Sequence, residues 1–216
     1  MRGVEVSVLI PAAGNGERLG LGPKAFLRVG GKTLLEWSLL AFQEAAEVLV
    51  ALPPGAEPPP GLRAVFLEGG RTRQESVARL LEAASLPLVL VHDVARPFAS
   101  PALAERVLEA ARATGAAVPV LPVSDTLVRP EGEAYGEVVP REALRLVQTP
   151  QGFFTALLRE AHAYARKRGL AATDDAQLVR ALGYPVALVE GERTAFKITY
   201  PEDLSLAEAL ARTWSG

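Results

Sequence analysis

Residues 4–20 read Val-Glu-Val-Ser-Val-Leu-Ile-Pro-Ala-Ala-Gly-Asn-Gly-Glu-Arg-Leu-Gly, with Pro23-Lys24 just beyond. The first seven positions are rich in valine, leucine and isoleucine, as in a strand buried on both faces of a parallel sheet. The strand delivers a glycine-rich loop at its carboxyl end. Glycines let the backbone turn tightly and bring its N–H groups against an anion, and Arg18 and Lys24 add positive charge beside them. The combination reads as a phosphate cradle.

Two familiar nucleotide motifs are excluded nearby. Gly14-Asn15-Gly16-Glu17-Arg18-Leu19 begins like a dinucleotide fingerprint, but Leu19 stands at the third glycine position. Gly30-Gly31-Lys32-Thr33 resembles the tail of a P-loop, yet the first glycine that motif needs is Phe26.

Outward from the loop, the chain alternates helical and strand patterns. Helical spacing covers 33–46, apolar strand runs cover 48–52, 64–67, 88–91 and 116–121, and a helix runs from the 68–76 turn to about residue 84. Ser100-Pro101 pairs an N-cap with a first-turn proline and opens a helix to about Thr114. After the middle section, a helix covers 155–168, Thr173 caps another through Leu182, and strands are expected at 185–189 and 196–199. Pro201 opens a final helix. This rhythm gives an α/β fold: a Rossmann-like, mainly parallel open sheet with helices on both faces, whose ligands bind at the carboxyl ends of the strands.

Residues 123–149 break the rhythm. Short β-like pieces (126–129, 137–139, 144–149) surround a Pro130-Glu131-Gly132-Glu133 turn. They are read as a protruding β arm that packs on a second copy of the chain, because such an arm buries little apolar surface by itself.

Composition narrows the partners. A chain of 216 residues, 49% hydrophobic, suits one domain over its full length, 1–216, and a net charge of −2 disfavours broad contact with nucleic acid or an anionic membrane. There is no cysteine, hence no thiolate metal site or nucleophile. No run reaches membrane length, so a cytoplasmic location is expected. Polar residues gather where strands end. Asp93 and Arg96 follow a buried strand, where Asp93 suits a Mg²⁺ or hydroxyl contact. Gly70, Arg73 and Ser76 follow another. Lysine occurs only at 24, 32, 167 and 197, so Lys197 inside an apolar segment suggests a specific task for a compact ammonium. His92 reads as structural, and His162 sits mid-helix in a polar pattern.

Pro-Ala-Ala-Gly-Asn-Gly-Glu-Arg-Leu (11–19), Pro23-Lys24, Gly69-Gly70 through Arg73 and Ser76, His-Asp-Val-Ala-Arg-Pro (92–97), Asp125-Thr126, Thr149-Pro150-Gln151, Thr173-Asp174 and Lys197-Ile198-Thr199 occur in this order. Together they resemble the 2-C-methyl-D-erythritol 4-phosphate cytidylyltransferases over nearly the whole chain. The resemblance implies that Pro11, Ala12, Ala13, Gly14, Gly16, Arg18 and Lys24 wrap the triphosphate of CTP, with Arg18 and Lys24 catalytic. It implies that Gly70, Arg73 and Ser76 line the base and ribose pocket. Asp93, Arg96 and Lys197 would face the polyol phosphate, joined by Thr126 and Arg141 from the arm of a homodimer partner, with Thr149 and Thr173 as further site positions. Mg²⁺ is the implied cofactor, carried mainly by CTP phosphates with Asp93 as its protein contact. Ala25 and Arg71 depart from the family, which often has glutamine and an acidic residue there. A cytidylyltransferase for another polyol phosphate, such as ribitol 5-phosphate, and a non-catalytic nucleotide-binding protein are the competing readings.

Overall fold

The computed structural model describes residues 5–14, 16 and 19–214. In chain order the elements are β1 (Val6–Pro11), the short pair β2 (Arg28–Val29) and β3 (Lys32–Thr33), α1 (Leu34–Ala41), β4 (Glu47–Leu52), β5 (Val65–Glu68), α2 (Arg73–Ala83), β6 (Leu88–Val91), α3 (Pro101–Thr114) and β7 (Ala116–Pro122). The second half continues with β8 (Leu127–Glu131), β9 (Ala134–Val139), β10 (Arg145–Val147), β11 (Gln151–Phe154), α4 (Thr155–Arg168), α5 (Asp175–Ala181), β12 (Ala187–Glu190) and α6 (Pro201–Ala211).

Strands β5, β4, β1 and β6 lie side by side and parallel. Next comes β11, antiparallel to both β6 and β7. Ala117 of β7 pairs with Gly152 of β11 and also with Ala187 of β12, so β12 closes the far edge, parallel to β7. Val120 pairs with both Val147 of β10 and Glu190 of β12. β10 and β11 therefore share one edge of β7, on either side of the cis Thr149–Pro150 peptide. The sheet is the expected mainly parallel one, with β10 and β11 antiparallel to their neighbours.

Alternation along the central strands sorts the core into two layers. Val6, Val8 and Ile10 of β1 and Leu88 and Leu90 of β6 pack with α1, α3 and α6. Leu9, Val89 and Val91 turn to the other face and pack with α2, α4 and α5. A strand of period two cannot hide both sets unless both faces are covered, which is why β1 and β6 are apolar apart from Ser7, whose hydroxyl donates to Glu47. Helix starts follow their local chemistry. Thr33 and Glu36 form a capping box at α1, Thr72 caps α2 and Ser100 caps α3, with Pro101 in its first turn.

Four sequence expectations change. The first helix stops at Ala41. Asp174, one residue beyond Thr173, caps α5 by accepting from the Gln177 N–H. Residues 196–199 form no strand: Ile198 N–H donates to Ala95 O, and the Ile198 carbonyl accepts from the Lys24 side chain rather than from a ladder. Ile198 is buried in the core while its neighbours are half-buried, so the segment is held by packing rather than by strand pairing. Finally, only β8 and β9 form the projecting hairpin, because β10 returns to the main sheet.

Candidate active site

β1 leaves β6 after Leu9, paired with Val91, and stays beside β4 as far as Pro11, paired with Ala51. Ala12 N–H still donates to Ala51 O (2.8 Å), so Ala12 prolongs the pairing with β4 and is buried. Beyond it the chain leaves the sheet. Gly16 has φ +65° and its carbonyl accepts from Leu19 N–H and Gly20 N–H. A Cβ there would lie 2.7 Å from Gly22 O and 3.0 Å from Lys24 Cγ. Glycine is thus required by both conformation and space. Lys24 opens a short 3₁₀ turn, and its Nζ donates to Ile198 O (2.7 Å), which ties the glycine loop to the segment carrying Lys197.

The second wall is the turn from β5 into α2. Gly70 N–H donates to Ser76 Oγ, Ser76 Oγ–H donates to Thr72 O, and Arg79 donates to the carbonyls of Glu68 and Gly69. A side chain at Gly69 would run into Ala13, so this turn and the glycine loop touch. The wall is fixed by its own helix start.

Between the two walls, at the carboxyl end of β6, stands Asp93. Its Oδ1 accepts from Arg73 Nε (2.8 Å) and its Oδ2 from Lys197 Nζ (2.7 Å). Arg73 also donates through Nη1 to Asp175 Oδ2 (2.7 Å), and Asp175 Oδ1 is 2.9 Å from His162 Nε2. Burial opposes charge on Asp93, but the Arg73 and Lys197 cations outweigh it and hold the carboxyl below the usual carboxylate range. The same contest, won by Arg73 and the His162 hydrogen bond, lowers Asp175. Arg73, although buried, is pushed up by the two carboxylates. These groups are charged at neutral pH.

His92 supports the turn from beneath. A carbonyl only accepts, so the 3.1 Å contact to Arg96 O places the proton on Nε2 and leaves Nδ1 to accept from Thr149 Oγ (3.3 Å). Thr149 Oγ in turn accepts from Asp93 N–H (3.0 Å). Complete burial lowers the His92 pKa to about 4, so the ring is neutral and both nitrogens are engaged.

The resulting cleft, of ≈ 420 Å³, is lined by Pro11, Ala13, Gly14, Gly16, Lys24, Gly70, Arg73, Ser76, Asp93 and Lys197, with Arg71, Thr72, Val94 and Ala95. A larger hollow of ≈ 800 Å³ lies at the amino ends of β4 and β5. It has none of these strand-end polar groups. Other expected site residues fall outside the cleft. Ala12 points into the core. Arg96 is a clamp whose Nη1 and Nη2 donate to the carbonyls of Ala195 (2.8 Å) and Val147 (3.3 Å). Thr149 is buried behind Asp93, and Thr173 is exposed and accepts from Gln177. Thr126 and Arg141 are exposed at the base of the arm, where Arg141 donates to Ser124 O. Arg18 lies outside the described residues.

Sequence reasoning missed Asp175 and misplaced His162, which is buried rather than on a polar face. A pairing between residues 102 positions apart leaves no local signal. Thr72 was detectable, since Thr72-x-x-Glu75 has the form of a helix start.

Comparison with known proteins agrees with this arrangement. The family described as "2-C-methyl-D-erythritol 4-phosphate cytidylyltransferase" matches residues 6–213. A protein of that name from Thermus thermophilus is 83% identical over 212 residues, covering 98% of this chain and all of its own. One from Deinococcus radiodurans is 55% identical, covering 94% and 88%. The crystal structure of a Thermus thermophilus enzyme of the same name superposes with a TM-score of 0.91 at 80% identity, covering 97% of this chain and all of its own. The chain belongs to the 2-C-methyl-D-erythritol 4-phosphate cytidylyltransferase family.

Proposed function

We propose that this cleft is where the chain transfers a cytidylyl group from CTP to 2-C-methyl-D-erythritol 4-phosphate, a step of isoprenoid biosynthesis. An oxygen of the acceptor's phosphate attacks the α-phosphorus of CTP, the bond to the β-phosphate oxygen breaks, and pyrophosphate leaves with that electron pair. The observation that carries the reading is convergence: the glycine loop, the β5–α2 turn and the Asp93–Lys197 pair open into one cleft at the switch between β1 and β6.

In this reading the triphosphate lies along Gly14 and Gly16 with Lys24 and Arg18, the base and ribose lie against Gly70 and Ser76, and the acceptor lies near Asp93 and Lys197. A phosphate monoester with a second pKa of about 6 is already an anionic nucleophile at neutral pH. No general base is required. The site fits that demand, because Asp93 is held by two cations and neither nitrogen of His92 is available to take a proton. The chemical burden is electrostatic: two polyanions must be brought together and the charge growing on the leaving pyrophosphate offset.

A divalent ion belongs to the nucleotide in this reading. Among the described residues no three acidic or histidine side chains gather to hold a metal, and both oxygens of Asp93 already accept from cations. We therefore assign Mg²⁺ to the triphosphate, bound as metal–CTP, and give Asp93 the task of anchoring Arg73 and Lys197.

The arm extends the proposal to a homodimer. Tyr135, Val138 and Leu146 are exposed on or next to it, a poor arrangement for an isolated chain. Thr126 and Arg141, outside the cleft of their own chain, would complete the partner's acceptor pocket. No helix among the described residues is long and apolar enough to cross a membrane. In this reading the enzyme works in the cytoplasm, where CTP is at hand. The test is pyrophosphate release with CTP, comparing methylerythritol phosphate with ribitol 5-phosphate. Release with the first and little with the second supports the assignment.

A further inference from the structure

Five ionisable side chains form one file: Lys197, Asp93, Arg73, Asp175 and His162, joined by contacts of 2.7, 2.8, 2.7 and 2.9 Å. They come from both sides of the sheet. His162 and Asp175 lie on α4 and α5, Arg73 opens α2, and Lys197 follows the 3₁₀ turn before α6. Asp175 is 1% exposed, does not line the cleft, and has no part in the proposed chemistry.

Lys197, Arg73, Asp93 and Asp175 make two cations and two carboxylates, so each carboxylate balances one cation. Taking the charge from Asp175 would leave Arg73 to draw on Asp93 alone. Asp93, which already accepts from both cations, would then be the pair's one carboxylate, and its hold on the more exposed Lys197 would weaken. Arg73 Nη2 is already buried without a hydrogen-bond partner among the described residues, so the guanidinium has a strong demand for any acceptor it can reach.

We propose that Asp175, held by His162, is a positioning residue that fixes Lys197 through Arg73 and Asp93. Its importance for catalysis rests on the proposed role of Lys197 toward the acceptor phosphate, whereas the positioning itself does not. Lysine occurs at only four positions, so side-chain ¹⁵N spectra of the full chain report on each ammonium, with a Lys197→Arg variant identifying the signal. In Asp175→Asn, which keeps the shape but removes the charge, hydrogen exchange at the Lys197 ammonium accelerates several-fold while Lys32 and Lys167 are unchanged. The KM for the acceptor rises about tenfold, more than the KM for CTP, and the Asp175→Asn and Lys197→Met effects on kcat/KM are not additive. If Asp175→Asn does not fold, His162→Phe decides, since it removes only the bond that steadies the carboxylate and moves the same signal less. An unchanged Lys197 signal in the folded variant overturns the inference. A perturbed Lys197 with an unchanged acceptor KM upholds the positioning and instead removes Lys197 from the proposed acceptor site.

Discussion

Lys24 is placed by two constraints that the bare motif does not reveal: the closed glycine turn against its stem and the Ile198 carbonyl that receives its ammonium. If Lys24 offsets charge that develops during transfer, as proposed, Lys24→Ala lowers kcat by about 10²–10³ while changing the KM for CTP much less. Steady-state pyrophosphate release measures both. His92 gives a prediction about stability. Its folded pKa of about 4 lies below the ordinary 6.5, so between those values the unfolded chain binds more protons. The stabilisation is fully present above pH 6.5 and is lost as pH falls toward 4, in total about 3 kcal/mol. Urea titrations across that window should show the loss, and a folded His92→Asn variant should show a flatter profile there. An identical slope in the two proteins would contradict the assignment of the buried neutral ring.

At the scale of elements, the β5–α2 turn is held by its helix start. Thr72→Ala removes the N-cap of α2 and is expected to cost about 1 kcal/mol in thermal or urea unfolding. Gly69→Ala forces the turn away from Ala13 and should cost about 1–3 kcal/mol and raise the KM for CTP, since it spreads the two walls of the cleft. Unchanged CTP affinity in that variant would separate the turn from nucleotide binding. The repeating strands and helices were legible in the sequence because both signals are local: the apolar run of β6 and the Ser100-Pro101 start of α3 appear where they were expected. The strands that differ have pairing set from afar. β11 is short and inserts antiparallel between two strands, β6 and β7, and residues 196–199 carry a strand-like pattern but among the described residues make one backbone pairing, Ile198 N–H to Ala95 O. The cleft was legible where strand ends carry glycine or charge, as at Gly14, Gly70 and Asp93. Its supporting layer was not, because Asp175 and His162 acquire meaning only when α4 and α5 dock beside α2.

For the whole molecule, the arm carries the proposed homodimer. If Arg141 completes the neighbouring site, mixing Arg141→Ala with Lys24→Ala subunits yields heterodimers with one intact site. A statistical mixture of equal parts then recovers about a quarter of the wild-type activity. No recovery after demonstrated subunit exchange would rule out a shared site. In the proposed reaction this cleft joins CTP to methylerythritol phosphate by charge placement, without a protein base. The most direct measurement is pyrophosphate release at saturating CTP and methylerythritol phosphate for the wild-type chain and Lys24→Ala. Rapid release by the first and its near-abolition in the second are the expected results; absence of release by the wild type, or full turnover by the variant, would contradict the claim.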